Sequence, residues 1–139
     1  MSVFYGCKVE GDFWKMNLKK YYMSLLSNNS SLTALIGNGK VLSGYPQEVT
    51  TFPVVIFEDN DSSDIEFADN LPNGTAAQVR IHVFSKTIKG YPKAEVIADL
   101  VRSIFREDYW AMTNNTESPD IDDNIKHRIL DFKREFYSL

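Results

Sequence analysis

Between Ala76 and Lys86 the chain reads Ala-Ala-Gln-Val-Arg-Ile-His-Val-Phe-Ser-Lys, with Val79, Ile81 and Val83 alternating against Arg80, His82 and Phe84. Successive side chains of an extended chain point to opposite faces, so this period of two predicts a strand with one face in a core. An apolar run, Phe52-Pro53-Val54-Val55-Ile56-Phe57, precedes it. A helical pattern follows, with Val96, Ile97, Leu100, Val101, Ile104 and Phe105 spaced to line one face. A strand pair with a helix laid across it is the smallest unit these segments can build.

The flanking sequence extends that unit. Asp12 is placed to cap a helix running to about Ser27, whose stripe is Trp14, Leu18, Tyr21, Tyr22, Leu25 and Leu26, with Lys15, Lys19 and Lys20 on the wet side. Asn28-Asn29-Ser30 breaks it. Ser31 then caps a short turn carrying Leu32, Leu35 and Ile36, which Gly37 stops. Val41–Tyr45 reads as a brief strand ended by Pro46, and Pro53 opens the next, at a first position that tolerates a missing donor. Pro92 suits the first turn of the second main helix, which runs to about Glu107. Tyr109–Met112 reads as a short strand, Asn114–Asp120 as a loop and Lys126–Phe136 as the last strand. The order predicts an α+β fold: a mainly antiparallel sheet of about four to five strands, with two main helices packed on one face. At 139 residues it is expected as one domain, with residues 1–11 as a flexible arm.

One segment breaks the pattern. From Pro46 to Thr75 there are seven acidic residues, Glu48, Glu58, Asp59, Asp61, Asp64, Glu66 and Asp69, and no Lys or Arg. With Ser62, Ser63, Pro72, Asn73 and Gly74 it reads as a long, mobile, acidic hairpin loop over residues 58–75.

A formal charge of −4 argues against a nucleic-acid-binding surface, which needs clustered Lys and Arg. Cys7 is the only cysteine, so no internal disulfide forms and a reducing compartment fits. Residues 1–10 lack the apolar stretch of a secretory signal, and the longest apolar run, Phe52–Phe57, is far too short to span a membrane. The expectation is a chain made in the cytoplasm with no membrane partner.

Candidate chemistry fails segment by segment. Gly37-Asn38-Gly39-Lys40 lacks the spacing, the following Ser or Thr and the helix of a phosphate loop, and reads as a turn. Asp59-Asn60-Asp61-Ser62-Ser63 starts like a calcium loop, but Asp64 stands where glycine is required and Asn70 where a bidentate glutamate should close the shell. It reads as solvated, as do Asp120, Asp122 and Asp123. His82 and His127 have no zinc-ligand spacing; meeting across a sheet beside an acidic residue, they would make a general-base arrangement, and otherwise they are surface or interface histidines. Cys7 carries no cue for a lowered pKa. No catalytic, cofactor-binding or metal residue is assigned, and no cofactor is expected.

The order of segments carries a different signal. Five of them, the helix around Met16–Leu26, Ser31-Leu32-Thr33-Ala34-Leu35-Ile36-Gly37, Phe52–Asp59, Gln78–Lys86 running into the second helix, and Lys126–Arg134, together resemble the tail terminator (tail-completion, or head–tail joining) proteins of long-tailed bacteriophages. The likeness spans about residues 16–136 and is one of pattern and order; the residues before Met16 and the long acidic loop depart from it. It implies a non-enzymatic virion protein at the head-proximal end of the tail, assembled in the host cytoplasm. Such proteins form a six-fold ring that caps the tail tube, stops its polymerisation and presents a surface to the head connector. The implied partners are the chain itself (a hexameric ring, or a monomer in solution), the tube protein and the connector or stopper protein, with no sequence-specific nucleic acid. On this resemblance Glu58, Asp59, Asp61, Asp64, Glu66 and Asp69 become candidates for a channel lining that repels DNA, or for an interface with a neighbour. The alternatives are another phage neck or adaptor protein, or a small enzyme.

Overall fold

The computed structural model describes residues 17–46, 48–68, 71–119 and 124–137. The chain runs α1 (Leu18–Ser27), α2 (Ser30–Ile36), β1 (Val41–Ser43), β2 (Val54–Ala68), β3 (Leu71–Lys86), α3 (Ala94–Glu107), β4 (Ala111–Ser118) and β5 (Ile125–Tyr137). It is an α+β fold with one five-stranded sheet, ordered β1-β2-β3-β5-β4. All neighbours are antiparallel except β1 on β2. The strand read from the Val79/Ile81/Val83 alternation is the middle one, hydrogen-bonded on both sides. The expected arm over residues 1–11, Asp12 and Trp14 lie outside the described residues.

The helices share one face of the sheet. Val55, Phe57, Val79, Ile81, Val83, Leu130, Phe132 and Phe136 meet Tyr22, Leu26, Leu32, Ile97, Val101 and Phe105 in one buried cluster. Phe105 stacks on Phe132 at 4.4 Å between ring centres. Each such buried side chain contributes about 1.5–3 kcal/mol, which is why the stripe and the alternation decide the layer arrangement. Val96 belongs to no stripe: it is 49% exposed, because Ala94, Ile97, Ala98, Val101, Ile104 and Phe105 centre the buried side of α3 away from it. On the opposite face Val54, Ile56 and Phe84 form a smaller cluster under Val49, Phe52 and Ile125. That second cluster explains why Phe84 is buried although it faces away from the helices.

Several boundaries differ from the sequence reading. The cap of α1 is Asn17, whose side chain accepts from the Lys20 amide at 3.1 Å. The cap of α2 is Asn29, accepting from Leu32 at 3.0 Å, rather than Ser31, since its oxygen reaches the amide three residues on. Gly37 closes α2 at φ +96°, which suits glycine. Tyr109, expected in a strand, sits at φ +68° in the turn after α3, and its amide bonds Arg106. The expected loop at Asn114–Asp120 is instead strand β4 through Ser118. An edge strand pairs through its backbone, so this polar, largely exposed run needs no apolar alternation.

The same correction applies to the acidic segment. The region expected as loop 58–75 is a β-ladder, with β2 and β3 paired from Val54↔Phe84 out to Ala68↔Leu71 and one irregularity between Asp59 and Asp61. Ladder hydrogen bonds ignore side-chain charge, so composition hid the strand. Ala111 of β4, Lys133 of β5, Gln78 of β3 and Asp61 of β2 lie in one row. Among the described residues β4 does not continue beyond that row, and the pairing of β5 ends at Gly74↔Tyr137. From Asp61 to Ala68 the hairpin therefore extends roughly 23 Å past the end of β4, as an acidic ribbon.

Candidate functional site

The face of the sheet away from the helices carries a polar band whose members come from three strands. Glu58, Arg80 and Asp131 share one row, His82 lies in the next row of that face and His127 one row further, each diagonal to the residue it meets. Arg80 grips Asp131 with both arms, Nε to Oδ1 at 2.8 Å and Nη2 to Oδ2 at 3.1 Å. That bond, with Asn114 donating to the same carboxylate, holds the Asp131 pKa below its usual value.

His82 Nε2 lies 2.5 Å from Glu58 Oε1, and His82 Nδ1 lies 2.9 Å from His127 Nε2. With the Nε2 proton given to the carboxylate, Nδ1 is left as the lone-pair nitrogen and accepts from His127. The histidines do meet beside an acid, as a general-base arrangement would require. Burial first, and the electrostatic effect of His82 in the same direction, push the His127 pKa down to about 4, too low for an effective base at neutral pH. His82 is only 5% exposed, the Tyr45 ring stands edge-on to it at 4.7 Å, and Phe84 stacks on His127 at 4.0 Å. The chain of three is a covered structural link between β2, β3 and β5.

A second buried polar cluster sits on the helix face. The Tyr21 hydroxyl and the Trp110 indole (3.0 Å) donate to Asp108 Oδ2. Arg134 Nη1 reaches the same oxygen at 3.2 Å and the Asp108 carbonyl at 2.5 Å, while its guanidinium lies 4.4 Å over the Phe136 ring. Burial first, and the Asp108 bond second, raise the Tyr21 pKa. Here α1, the end of α3 and β5 are locked together. The sequence reading did not find this cluster. Its one signal was parity, since Arg134 falls in step with Leu130, Phe132 and Phe136 on the buried side of β5.

Of the candidate acidic residues, Glu58 belongs to the histidine chain, and Asp59 is exposed at the irregularity, where its charge adds to burial in raising the Tyr22 pKa. Asp61 and Asp64 pair with Gln78 and Thr75 along the ribbon, and Glu66 lies in β2 two residues before its end. Asp69, like Asp120, Asp122, Asp123 and Cys7, is outside the described residues. Because Asp59–Ala68 is extended, it is not wound as a cation loop would be. The opposite end of β3 holds a feature that the sequence reading also missed, a cleft of about 410 Å³ with Lys86, Lys89, Lys93 and Lys126 in its lining.

Comparison with known proteins gives this architecture a context. No curated protein matches the chain. A solved chain from the virion of a native gene transfer agent particle superposes with a TM-score of 0.62 at 15% identity, covering 88% of this chain and 95% of the other. At that identity the likeness is one of fold. The family model described as Tail completion protein gp17 matches residues 23–133, which take in α1 from its sixth residue, α2, all of β1 to β4 and most of β5. The chain belongs to the tail completion protein gp17 family, structural proteins of the phage tail.

Proposed function

We propose that this chain is the subunit of a ring that caps the finished tail tube, ends its polymerisation and offers the surface on which the head joins. The single observation that carries the reading is the ribbon past Asp61. It runs past the end of β4 with β5 alongside only as far as Gly74↔Tyr137, so its tip is two-stranded, and a two-stranded hairpin is marginal by itself in water. A rigid arm at one end of a subunit is what a heterologous contact requires, and a heterologous contact that closes makes a ring, which stops growth where an open one would continue it. Six copies on the tube's head-proximal end, with the tube protein below and the connector above, follow from the family's role in tail completion. The chain acts by shape and charge rather than by catalysis, in keeping with a histidine pair in which His82 is buried and His127 is weakly basic. The acidic ribbon serves as an interface arm rather than as a channel lining.

Removing the gene and imaging the particles tests this. Overlong tails that lack heads, restored to uniform length by the wild-type chain, are the expected result. Tails of normal length with only the head missing would assign the chain to the neck as an adaptor and end the capping reading.

A further inference from the structure

The acidic ribbon and the lysine cleft lie at opposite ends of one strand. Lys86 closes β3, Lys126 is the second residue of β5, and Lys89 and Lys93 sit in the connection to α3. Glu95 is the one carboxylate among the residues that line the cleft. Lys126 is held by Glu117 at 3.6 Å, and the Lys86 ammonium is fixed over the Phe52 and Tyr91 rings, at 5.4 and 5.6 Å. Lys89 and Lys93 are exposed and make no ion pair with any described residue.

The acids of the ribbon cannot reach them. Asp61 pairs with Gln78 and Asp64 with Thr75, eight and eleven residues along β3 from Lys86, or roughly 26 and 36 Å at strand rise. The ladder between them has one irregularity, at Asp59/Asp61, and its pairing carries the ribbon away from the cleft. Carboxylates from outside the molecule would complement the exposed Lys89 and Lys93. The Asp61–Glu66 run carries three acids with no Lys or Arg within it, and has Ile65 and Phe67 beside them. Exposed Ile88 and the Tyr91 ring give the cleft an apolar side to match.

We infer that the lysine cleft is the seat for the acidic ribbon of a second copy, and that this is the contact from which the ring is built. It rests on the ring reading for the number of copies, while the contact itself stands or falls alone. Each copy presents ribbon at one end and cleft at the other, the head-to-tail arrangement that closes cyclically.

Zero-length carbodiimide coupling joins lysine to carboxylate directly and tests the contact on full-length protein. Equal amounts of nitrogen-15-labelled and unlabelled chain are mixed, alone at high concentration and on tail tubes, and mixed-label peptides are read by mass spectrometry. Links from Lys89 or Lys93 to Asp61, Asp64 or Glu66 are expected between copies. They should vanish in Lys89→Glu/Lys93→Glu, with self-association weakened roughly tenfold. They should return with reversed chemistry when that variant is mixed with Asp61→Lys/Asp64→Lys. Inter-copy links that avoid the cleft, or none at all in either setting, overturn the inference, as does a cleft that takes up duplex DNA instead. The capping role is judged separately. Normal tail length with the lysines reversed sinks the contact and leaves capping intact, whereas wild-type copies that link ribbon to cleft but never settle on tubes uphold the contact and end the capping role.

Discussion

Lowering the pH from 7.5 to 4.5 acts on the Glu58–His82–His127 chain in a way the geometry makes calculable. Folding holds His127 at about 4, against 6.5 for a free imidazole. Between those values the unfolded chain binds a proton that the folded chain refuses. The stability this residue contributes is therefore fully present above pH 6.5 and is lost as the pH falls towards 4, where the loss levels off. The shift corresponds to a ceiling of about 3.4 kcal/mol at 1.36 kcal/mol per unit. His127 is only half-buried, so water screens much of that, and on the order of 1–2 kcal/mol is expected to survive. For a domain of this size that is a fall in Tm of roughly 3–8 °C. The assay is thermal unfolding of the wild type and of His127→Gln at half-unit steps from pH 7.5 to 4.5. The wild type should lose its advantage between pH 6.5 and 4.5, and the two curves should converge there. Curves that run parallel through that window would show that the packing against His82 and Phe84 does not hold the proton off, and would refute the reasoning.

Two further outcomes follow from the same structure. Asp108→Ala leaves the Arg134 guanidinium, 3% exposed, without its carboxylate and should cost about 3–5 kcal/mol in urea unfolding, whereas Asp108→Ala combined with Arg134→Met should recover much of it; equal losses in both variants would count against a paired buried charge. Raising salt from 0.1 to 0.5 M shortens the screening length and should weaken copy-to-copy association while leaving Tm nearly unchanged, as read by sedimentation and calorimetry; association that strengthens with salt would point to an apolar contact instead.

How much of this was legible depended on whether a residue's role was local. Val79, Ile81 and Val83 announce the central strand because burial on one face imposes a period of two, and Tyr22, Leu26, Ile97 and Val101 announce the helices for the corresponding reason. β4 was read as a loop because Asn114–Ser118 is an edge whose side chains mostly face water, so nothing forces an apolar pattern on it. The ribbon was read as a loop because acidic residues and a Pro-Asn-Gly run outweigh a backbone ladder that leaves no mark on composition. The histidine chain joins Glu58, His82 and His127 across sequence separations of 24 and 45. Only the strand register brings them within 3 Å, and the sequence carried the residues without the register. Asp108 and Arg134 were missed because a buried ion pair looks, residue by residue, like surface.

What the assembled structure adds is a layout of charge rather than a total. In the middle of the sheet Arg80 answers Asp131, and towards the cleft Glu117 answers Lys126 and Arg128. The acids Asp61, Asp64 and Glu66 and the exposed Lys89 and Lys93 lie towards opposite ends of β3. Two copies placed side by side with the same ends together would set like charges against each other. Set end to end, they bring opposite charges together. A net charge of −4 keeps the free chain soluble without choosing between those arrangements, and the segregation along the strand makes the choice. It favours a heterologous contact over a two-fold one, and a heterologous contact is the only kind from which a ring larger than a dimer can be built with one type of joint.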